Sequence, residues 1–314
     1  MLWFLIRRIF AAVPILIFVA VFIFMLLHLA PGDPAAVAAG PNASPQQVEL
    51  LRQRMQLDMP LPEQFLRWVT SLARFDLGVS IFSNQPVSRL IGQRLEPTLL
   101  LAVTSMLVAV VIAVPAGTIA AWKADSLLDR VVMMFAVAGF STPVFVTAYG
   151  LIYVFSIELG WFPVQGYTPL SQGILDCLQG LVLPSLALGF VFAALIARVV
   201  RATMLEILAE DYIRTARAKG LATPTIVVVH ALKNAGVPTM TVIGIGFAIL
   251  VGGVVVTETI FNIPGLGRLT TDAILRRDYP VVQGVILAFS AMLIVVNILV
   301  DLSYALFDPR VRSA

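Results

Sequence analysis

Residues that carry metal or disulfide chemistry are scarce in this chain. It has one cysteine, Cys177, and two histidines, His28 and His230, which lie far apart in the sequence. One cysteine cannot form an intrachain disulfide, and a metal site needs several ligands close together. The sequence therefore indicates no metal centre, and neither histidine suggests catalysis. We expect no cofactor.

Nucleotide hydrolysis is also not indicated by the residues. A phosphate-binding loop needs a lysine followed by Ser or Thr, which hold the phosphates and Mg²⁺. The chain has three lysines, and each is followed by another residue type: Lys123-Ala124, Lys219-Gly220 and Lys233-Asn234. We therefore expect that this chain is not itself an ATPase.

One long hydrophilic stretch, residues 201–236, interrupts an otherwise apolar sequence. Its residues favour a helix from Glu206 to Gly220, and Glu210 stands four positions before Arg214 in the favourable order for an ion pair. Gly220 is placed to end this helix in the left-handed conformation. Thr223 and Pro224 then predict a second helix, with Thr223 as its N-cap.

Three interpretations of this stretch compete. It could be a solvated charged loop, a basic amphipathic helix on anionic lipid, or a docking helix for a cytoplasmic protein. The small residues Ala216, Ala218 and Gly220 form a narrow ridge suited to a protein groove, whereas a lipid-surface helix would carry large apolar residues. The residues alone leave the lipid and protein interpretations open.

Polar residues inside apolar segments are the other functional candidates. The candidates for lining a transport path are Ser141, Thr142, Glu258, Asn262 and Asn297. The alternative is that they form hydrogen bonds between helices. For Asp301, four residues after Asn297, we favour that alternative; for Ser141, Thr142 and Glu258 both interpretations stay open.

The composition defines the setting in which these residues act. The chain has 314 residues, of which 59% are hydrophobic and 12% charged, and its mean hydropathy is +0.95. Soluble domains are roughly 45–50% apolar and about 25% charged, so these values predict an all-α polytopic membrane protein. The net charge is only +3, and the basic residues lie in short loops beside apolar runs. This pattern does not indicate nucleic-acid binding.

Six apolar runs are long enough to cross a bilayer, which takes roughly 20 helical residues. They are Ile9–Leu29, Thr98–Ala121, Val131–Ile157, Leu181–Val200, Val237–Thr257 and Val281–Leu306. The first run is too long for the apolar core of a signal peptide, so we predict an uncleaved helix. Lys and Arg concentrate at the N-terminus, around 123–130, in 198–233 and at the C-terminus, so both termini are predicted to be cytoplasmic.

The long first loop, residues 31–97, is predicted to form a small helical periplasmic cap. Ser44 and Pro45 are typical of an N-cap and first helical position, and they precede "QQVELLRQRM". A second helix is predicted in "PEQFLRWVTSLARF", with Phe65, Leu66, Val69 and Leu72 on one side. A disordered linker is the weaker alternative, because several aromatic residues could be buried here.

Helix-breaking residues recur within the apolar runs: Pro14, Pro115, Pro143 and Gly252-Gly253. They predict either ordinary kinks or a bundle that must flex, since freed backbone groups in lipid need partners within the protein.

A series of short motifs resembles the permease subunits of ABC importers of the dipeptide, oligopeptide and nickel group. The motifs follow in that family's order: "FLIRRIF…HLAPGDPA", "RLEPTL", "GFSTPVF", "ELGWFPVQG", "LPSLALG", "EDYIRTARAKGL…HALKNAGVP", "ETIFNIPGLGRL…RRDYPVVQG" and "NILVDLSYALFDPRVR". Each motif is weakly specific, but together they cover nearly the whole chain. Arg214-Thr215-Ala216 stands where the generic importer motif has EAA, so the glutamate contact of that motif does not carry over to Arg214.

The resemblance implies a membrane-spanning subunit of a bacterial importer for peptides or a similarly small solute. Glutathione or chelated nickel are alternatives within the family, and an ion-gradient-driven transporter is the alternative from another class. The implied regions are 1–30 (first span), 31–97 (periplasmic loop) and 98–314 (permease domain), with a cytoplasmic coupling segment at 201–236.

The implied partners are a homologous second permease, two cytoplasmic ATPase subunits, a periplasmic substrate-binding protein and membrane lipid, and the implied location is the bacterial inner membrane. The residues implied to couple to the ATPases are Glu206, Glu210, Asp211, Arg214, Thr215, Ala216, Arg217, Ala218, Lys219 and Gly220.

Overall fold

The computed structural model describes residues 2–29, 33–40, 42–55 and 57–307, and its regular secondary structure there is helical. The helices of the first half are α1 (Leu2–Leu29), α2 (Pro34–Ala39), α3 (Pro45–Arg54), α4 (Leu61–Ala73), α5 (Val87–Trp122), α6 (Leu127–Ser141) and α7 (Val144–Leu151). Those of the second half are α8 (Ile174–Leu208), α9 (Asp211–Ala218), α10 (Thr223–Thr225), α11 (Gly236–Gly253), α12 (Val255–Ile260), α13 (Leu266–Arg276) and α14 (Tyr279–Phe307). Two π-helical segments, Ile152–Glu158 and Ile226–Leu232, continue α7 and α10. The all-α membrane fold is confirmed.

Three described helices, α5, α8 and α14, are long and apolar enough to cross a bilayer. Two further apolar pairs are bent, Leu127–Ser141 with Val144–Glu158 by 104° and Thr223–Leu232 with Gly236–Gly252 by 58°. The described residues thus provide three spans, or up to five if each bent pair is one span. The first predicted run lies on α1, whose apolar stretch is shorter in the described part, Phe10–Met25. A count of six spans stays a prediction.

The chain divides into two compact units. The first unit contains Pro97–Ile263 and the chain from Val295 onward; the second contains Leu2–Glu96 and Pro264–Ile294.

Helix α8 is the buried centre of the first unit, and α5 packs closely along it. A Cβ placed on Gly189 of α8 would lie 3.1 Å from the Ser105 carbonyl oxygen, and one on Gly117 of α5 would lie 2.6 Å from that of Ala197. The hydroxyls of Thr104 and Ser185 share a hydrogen bond of 2.7 Å next to the first of these contacts. Small residues and interhelical hydrogen bonds of this kind are how helices associate in lipid.

The second unit has its own apolar core, formed by α5, α13 and α14. The buried residues are Val87, Ile91, Leu266, Leu269, Ala273, Val281, Val282 and Val285. The loop before α5 is fastened to the start of α14, because the buried Asp278 carboxylate accepts hydrogen bonds from the Ser80 hydroxyl (2.5 Å) and the Ile81 N–H (3.2 Å).

The two helices predicted in the long first loop are present as α3 and α4. Ser44 caps α3, and its reciprocal hydrogen bonds with Gln47 form a capping box; the short helix α2 was not predicted. On α4 the predicted face is partly wrong. Phe65 and Trp68 contact the ring of Phe24, at centroid distances of 5.1 and 5.8 Å, and this packing leaves Leu66 and Val69 exposed.

Candidate functional site: the coupling segment and its attachments

Residues 206–220 of the coupling segment belong to two helices where one was predicted. Helix α8 continues to Leu208, so Glu206 lies in its last turn, and α9 begins only at Asp211. Between them Glu210 is extended, with φ −65° and ψ 149°, as is usual for a residue that precedes a helix. The prediction of a continuous helix from Glu206 to Gly220 is therefore wrong.

The end of α9 follows the prediction for Gly220. This residue has a φ of +79°, which is strained for residues with a side chain. The N–H of Gly220 donates to the Arg217 carbonyl, and the N–H of Leu221 donates to that of Ala216. This pair of hydrogen bonds is the Schellman motif, so the left-handed end of α9 is confirmed. The next helix departs from the prediction, because Ala222 occupies the N-cap position and Thr223 the first helical position.

The charged residues of α9 face solvent in this chain. Of the ten predicted coupling residues only Ala216 is half-buried; the exposed ones are Glu206, Glu210, Asp211, Arg214, Thr215, Arg217, Ala218, Lys219 and Gly220. Arg214 pairs with Asp211 at 3.2 Å rather than with Glu210, because Glu210 is outside the helix. An exposed pair of this kind stabilises little, so most of this surface is available to a partner.

Two contacts that were not predicted fasten α9 to the rest of the first unit. Ile213 is fully buried and is the apolar anchor of the helix. The Asn234 side-chain amide donates to the Tyr212 hydroxyl at 2.8 Å and to the His230 carbonyl at 2.9 Å. Because His230 belongs to the second π-helical segment and Asn234 lies two residues before α11, α9 is tied to the start of the next apolar helix.

An ion pair with a buried carboxylate and a half-buried guanidinium lies seven residues before the end of α8. The Arg201 guanidinium donates through Nε and one terminal nitrogen to the two carboxylate oxygens of Asp129, with both distances 2.6 Å. Asp129 is only 3% exposed, and it also accepts the N–H of Asp125 at 3.1 Å. A bidentate contact fixes the relative orientation of the two groups as well as their distance. It joins the start of α6 to α8.

The five predicted path residues are placed differently from one another. Glu258 is fully buried, and the Thr98 hydroxyl donates to its Oε1 at 2.6 Å. The Thr142 hydroxyl donates to the Ala138 carbonyl at 2.8 Å, at the break between α6 and α7. The remaining three are exposed in this chain: Ser141, Asn262 and Asn297. The hydrogen bond of Glu258 joins α5 to α12.

The second unit holds a cavity of about 470 Å³ that contains none of the predicted site residues. Its lining includes Phe24 and Trp68 from the aromatic cluster, Arg67 from α4, and Tyr279 from the start of α14.

The comparisons with known proteins confirm the family resemblance that the series of motifs indicated. The chain matches the family "Binding-protein-dependent transport system inner membrane component" over residues 113–313 and "Binding-prot-dependent transport system membrane comp, N-term" over residues 1–102. It is 48% identical over 309 residues to the probable peptide ABC transporter permease protein y4tP of Sinorhizobium fredii, covering 98% of this chain and 99% of that one.

A second relative is the glutathione transport system permease protein GsiC of Escherichia coli, 45% identical over 312 residues, or 99% of each chain. Among solved structures, the fold is similar to an inward-facing MetNI methionine ABC transporter, with a TM-score of 0.59 and 19% identity. The match covers 70% of this chain and 97% of that chain.

Proposed function

Because the chain belongs to the family of binding-protein-dependent transport system inner membrane components and is the permease subunit of an ABC importer, we propose that it carries short peptides, including peptide-like solutes such as glutathione. The names of the two relatives described above support this solute class, since one refers to peptides and the other to glutathione. Glutathione is itself a small peptide, so both names point to one chemistry. A homologous second permease supplies the other half of the path.

Permeases of this family work with ATPase and substrate-binding subunits. In our proposal two cytoplasmic ATPase subunits bind α9 and drive transport, while this chain hydrolyses no nucleotide. The observation that carries this step is the contrast on α9 between an exposed polar surface and a single buried anchor, Ile213. A partner that grips the exposed side would move α9 together with the helices to which it is fastened.

The proposal also assigns an orientation in the inner membrane, with both termini and α9 cytoplasmic, as the distribution of Lys and Arg favours. Arg217 is exposed on α9, and the native Cys177 is buried. An Arg217→Cys variant should therefore react with a membrane-impermeant maleimide only after the cytoplasmic side is opened. Labelling of intact cells from outside would contradict the orientation.

The end of α9 provides the test of coupling. In Gly220→Val a β-branched residue must adopt a φ near +79°, which is strained, whereas asparagine in Gly220→Asn tolerates this conformation. The complete complex, reconstituted in proteoliposomes, should show uptake per ATP that falls roughly tenfold with valine and changes little with asparagine. Equal coupling in both variants would contradict the role of α9.

The alternative from another class, an ion-gradient-driven transporter, makes an opposite prediction. Such a protein would accumulate solute when this chain is reconstituted alone with an ion gradient. In our proposal the isolated chain accumulates none, and uptake appears only when the ATPase subunits and ATP are added.

A further inference from the structure

We propose that the Asp129–Arg201 ion pair is a positioning element of transport, which fixes α6 to the part of α8 that leads to α9, so that a displacement of α9 changes the position of α6. The inference rests on the proposed function, since it assigns a route by which the force on α9 would reach the spans.

The geometry of the pair specifies position rather than mere attraction. Two hydrogen bonds of 2.6 Å join the flat guanidinium to the flat carboxylate, so the two groups must share a plane as well as a distance. The carboxylate is held from its own side as well, by the Asp125 N–H at 3.1 Å, and Ser126 caps the helix that carries it. The start of α6 therefore has one orientation on α8.

Arg201, the member of the ion pair on α8, is also held in place, and the helix that follows it is continuous. The turn just before Arg201 contains Ala197 and Val200, which lie against Gly117 of α5. From Arg201 the helix continues unbroken to Leu208, about 10 Å along its axis. Because no break separates the ion pair from the end of α8, movement at that end is transmitted to Arg201.

On α6 the ion pair and the bend into α7 lie at opposite ends. Asp129 is in the first turn, whereas the helix ends at Ser141 and the chain bends by 104° into α7. Near that end α6 meets α8 through van der Waals contacts, because a Cβ on Gly139 would lie 3.4 Å from the Phe190 carbonyl oxygen and 3.6 Å from the Ala194 Cβ, which are ordinary contact distances. The ion pair thus makes α6 follow α8, and the break at Thr142-Pro143 takes up the change in angle.

A purely stabilising role predicts different behaviour. Replacing both members of a buried ion pair by apolar residues is often neutral or stabilising, because no charge remains to be desolvated. Such a replacement preserves packing but removes the directional contact. The double variant Asp129→Leu with Arg201→Met therefore separates an effect on stability from an effect on positioning. Arg201→Lys keeps the positive charge but loses the bidentate geometry.

The test uses the complete complex in proteoliposomes and measures assembly, ATPase rate and uptake per ATP hydrolysed. We expect the paired apolar variant to assemble and hydrolyse ATP, with uptake per ATP reduced roughly tenfold. Arg201→Lys should give an intermediate loss. Arg130→Gln, an exposed neighbour on α6, is the matched control and should couple normally.

Normal uptake per ATP in the paired apolar variant would overturn the inference and leave the pair with a stabilising role only. Coupling in Arg201→Lys equal to that of the unmodified complex would also contradict it. If the unmodified complex itself shows no ATP-driven uptake, the proposed function fails instead, so the two failures are distinguishable.

Discussion

Replacing Gly117 with alanine adds one methyl group at the closest approach of α5 and α8. The new Cβ would lie 2.6 Å from the Ala197 carbonyl oxygen and 2.9 Å from the Val200 Cβ. Both neighbours belong to a buried part of α8 and are not the ends of flexible side chains. The helices must therefore separate locally, or the substitution must be accommodated by distortion.

The magnitude follows from two opposing effects. Carbon atoms in contact are ordinarily ~3.5–4 Å apart, so the contact must open by somewhat under 1 Å, and overpacking of this size costs about 1–3 kcal/mol. Against this cost, replacing glycine with alanine inside a helix stabilises the folded state by roughly 0.5–1 kcal/mol. Gly117→Ala should therefore destabilise the folded chain by a net amount of roughly 0–2.5 kcal/mol, or about 1 kcal/mol at the middle of both ranges.

The same helix offers a control with the opposite sign. Gly92 is exposed, and a Cβ at this position would meet nothing within 4 Å. Gly92→Ala therefore gains only the propensity of alanine, roughly 0.5–1 kcal/mol. The two substitutions make the same chemical change in one helix, and only the neighbouring atoms differ.

Unfolding in mixed micelles, titrated with denaturing detergent and followed by circular dichroism, measures both variants. The unfolding midpoint should fall for Gly117→Ala and rise for Gly92→Ala relative to the unmodified chain. A rise for both would mean that α5 and α8 are not packed as closely as described, and it would refute the reasoning that assigns small residues to this contact.

Two further predictions concern the second unit. Asp278→Asn removes the carboxylate that accepts from Ser80 and Ile81, so hydrogen exchange of residues 78–84 should accelerate; the control Asp272→Asn on α13 should leave that loop unchanged, and equal exchange in both would contradict the contact. The Arg52 guanidinium, hydrogen-bonded to Asp33, lowers the pKa of that carboxyl below its ordinary 3.8, so the pair stabilises above that value and the contribution is lost as pH falls through the lowered pKa. The difference in free energy of unfolding between the unmodified chain and Arg52→Gln should be constant near neutral pH and should disappear only as the pH falls through the lowered pKa of Asp33. A difference that persists below that pKa would count against the ion pair.

The sequence predicted the long helices because their apolar runs have the length that a bilayer requires. It placed their ends poorly, since a helix can continue past the apolar run. Helix α5 begins at Val87 rather than at Thr98, because the preceding "SRLIGQRLE" is polar but composed mostly of good helix formers. Pro97 does not end it.

Prolines show how far local rules extend. Pro14, Pro97, Pro115 and Pro184 all lie inside continuous helices, whereas Pro143 follows the extended residue Thr142 (ψ 123°) and separates α6 from α7. A proline disfavours the helical conformation of the residue before it, but packing decides whether that preference is obeyed. A proline in the sequence therefore marks a candidate break, and the bend of 104° is known only from the structure.

The coupling segment shows the same difference between features that local sequence predicts and features that tertiary packing decides. Local spacing predicted the glycine end of α9 and its polar surface, since these depend on residues within a few positions of one another, but it missed the break before Asp211. Ile213, the Tyr212–Asn234 hydrogen bond and the Asp129–Arg201 pair depend on partners 22 and 72 positions apart in the two bonded cases, and no local pattern identifies such partners. Sequence therefore indicates the surface that a partner can grip, whereas the contacts that would carry its force into the spans are tertiary. A substitution on the exposed side of α9 should consequently alter partner binding, and one at Ile213 or Arg201 should alter transmission with the partner still bound.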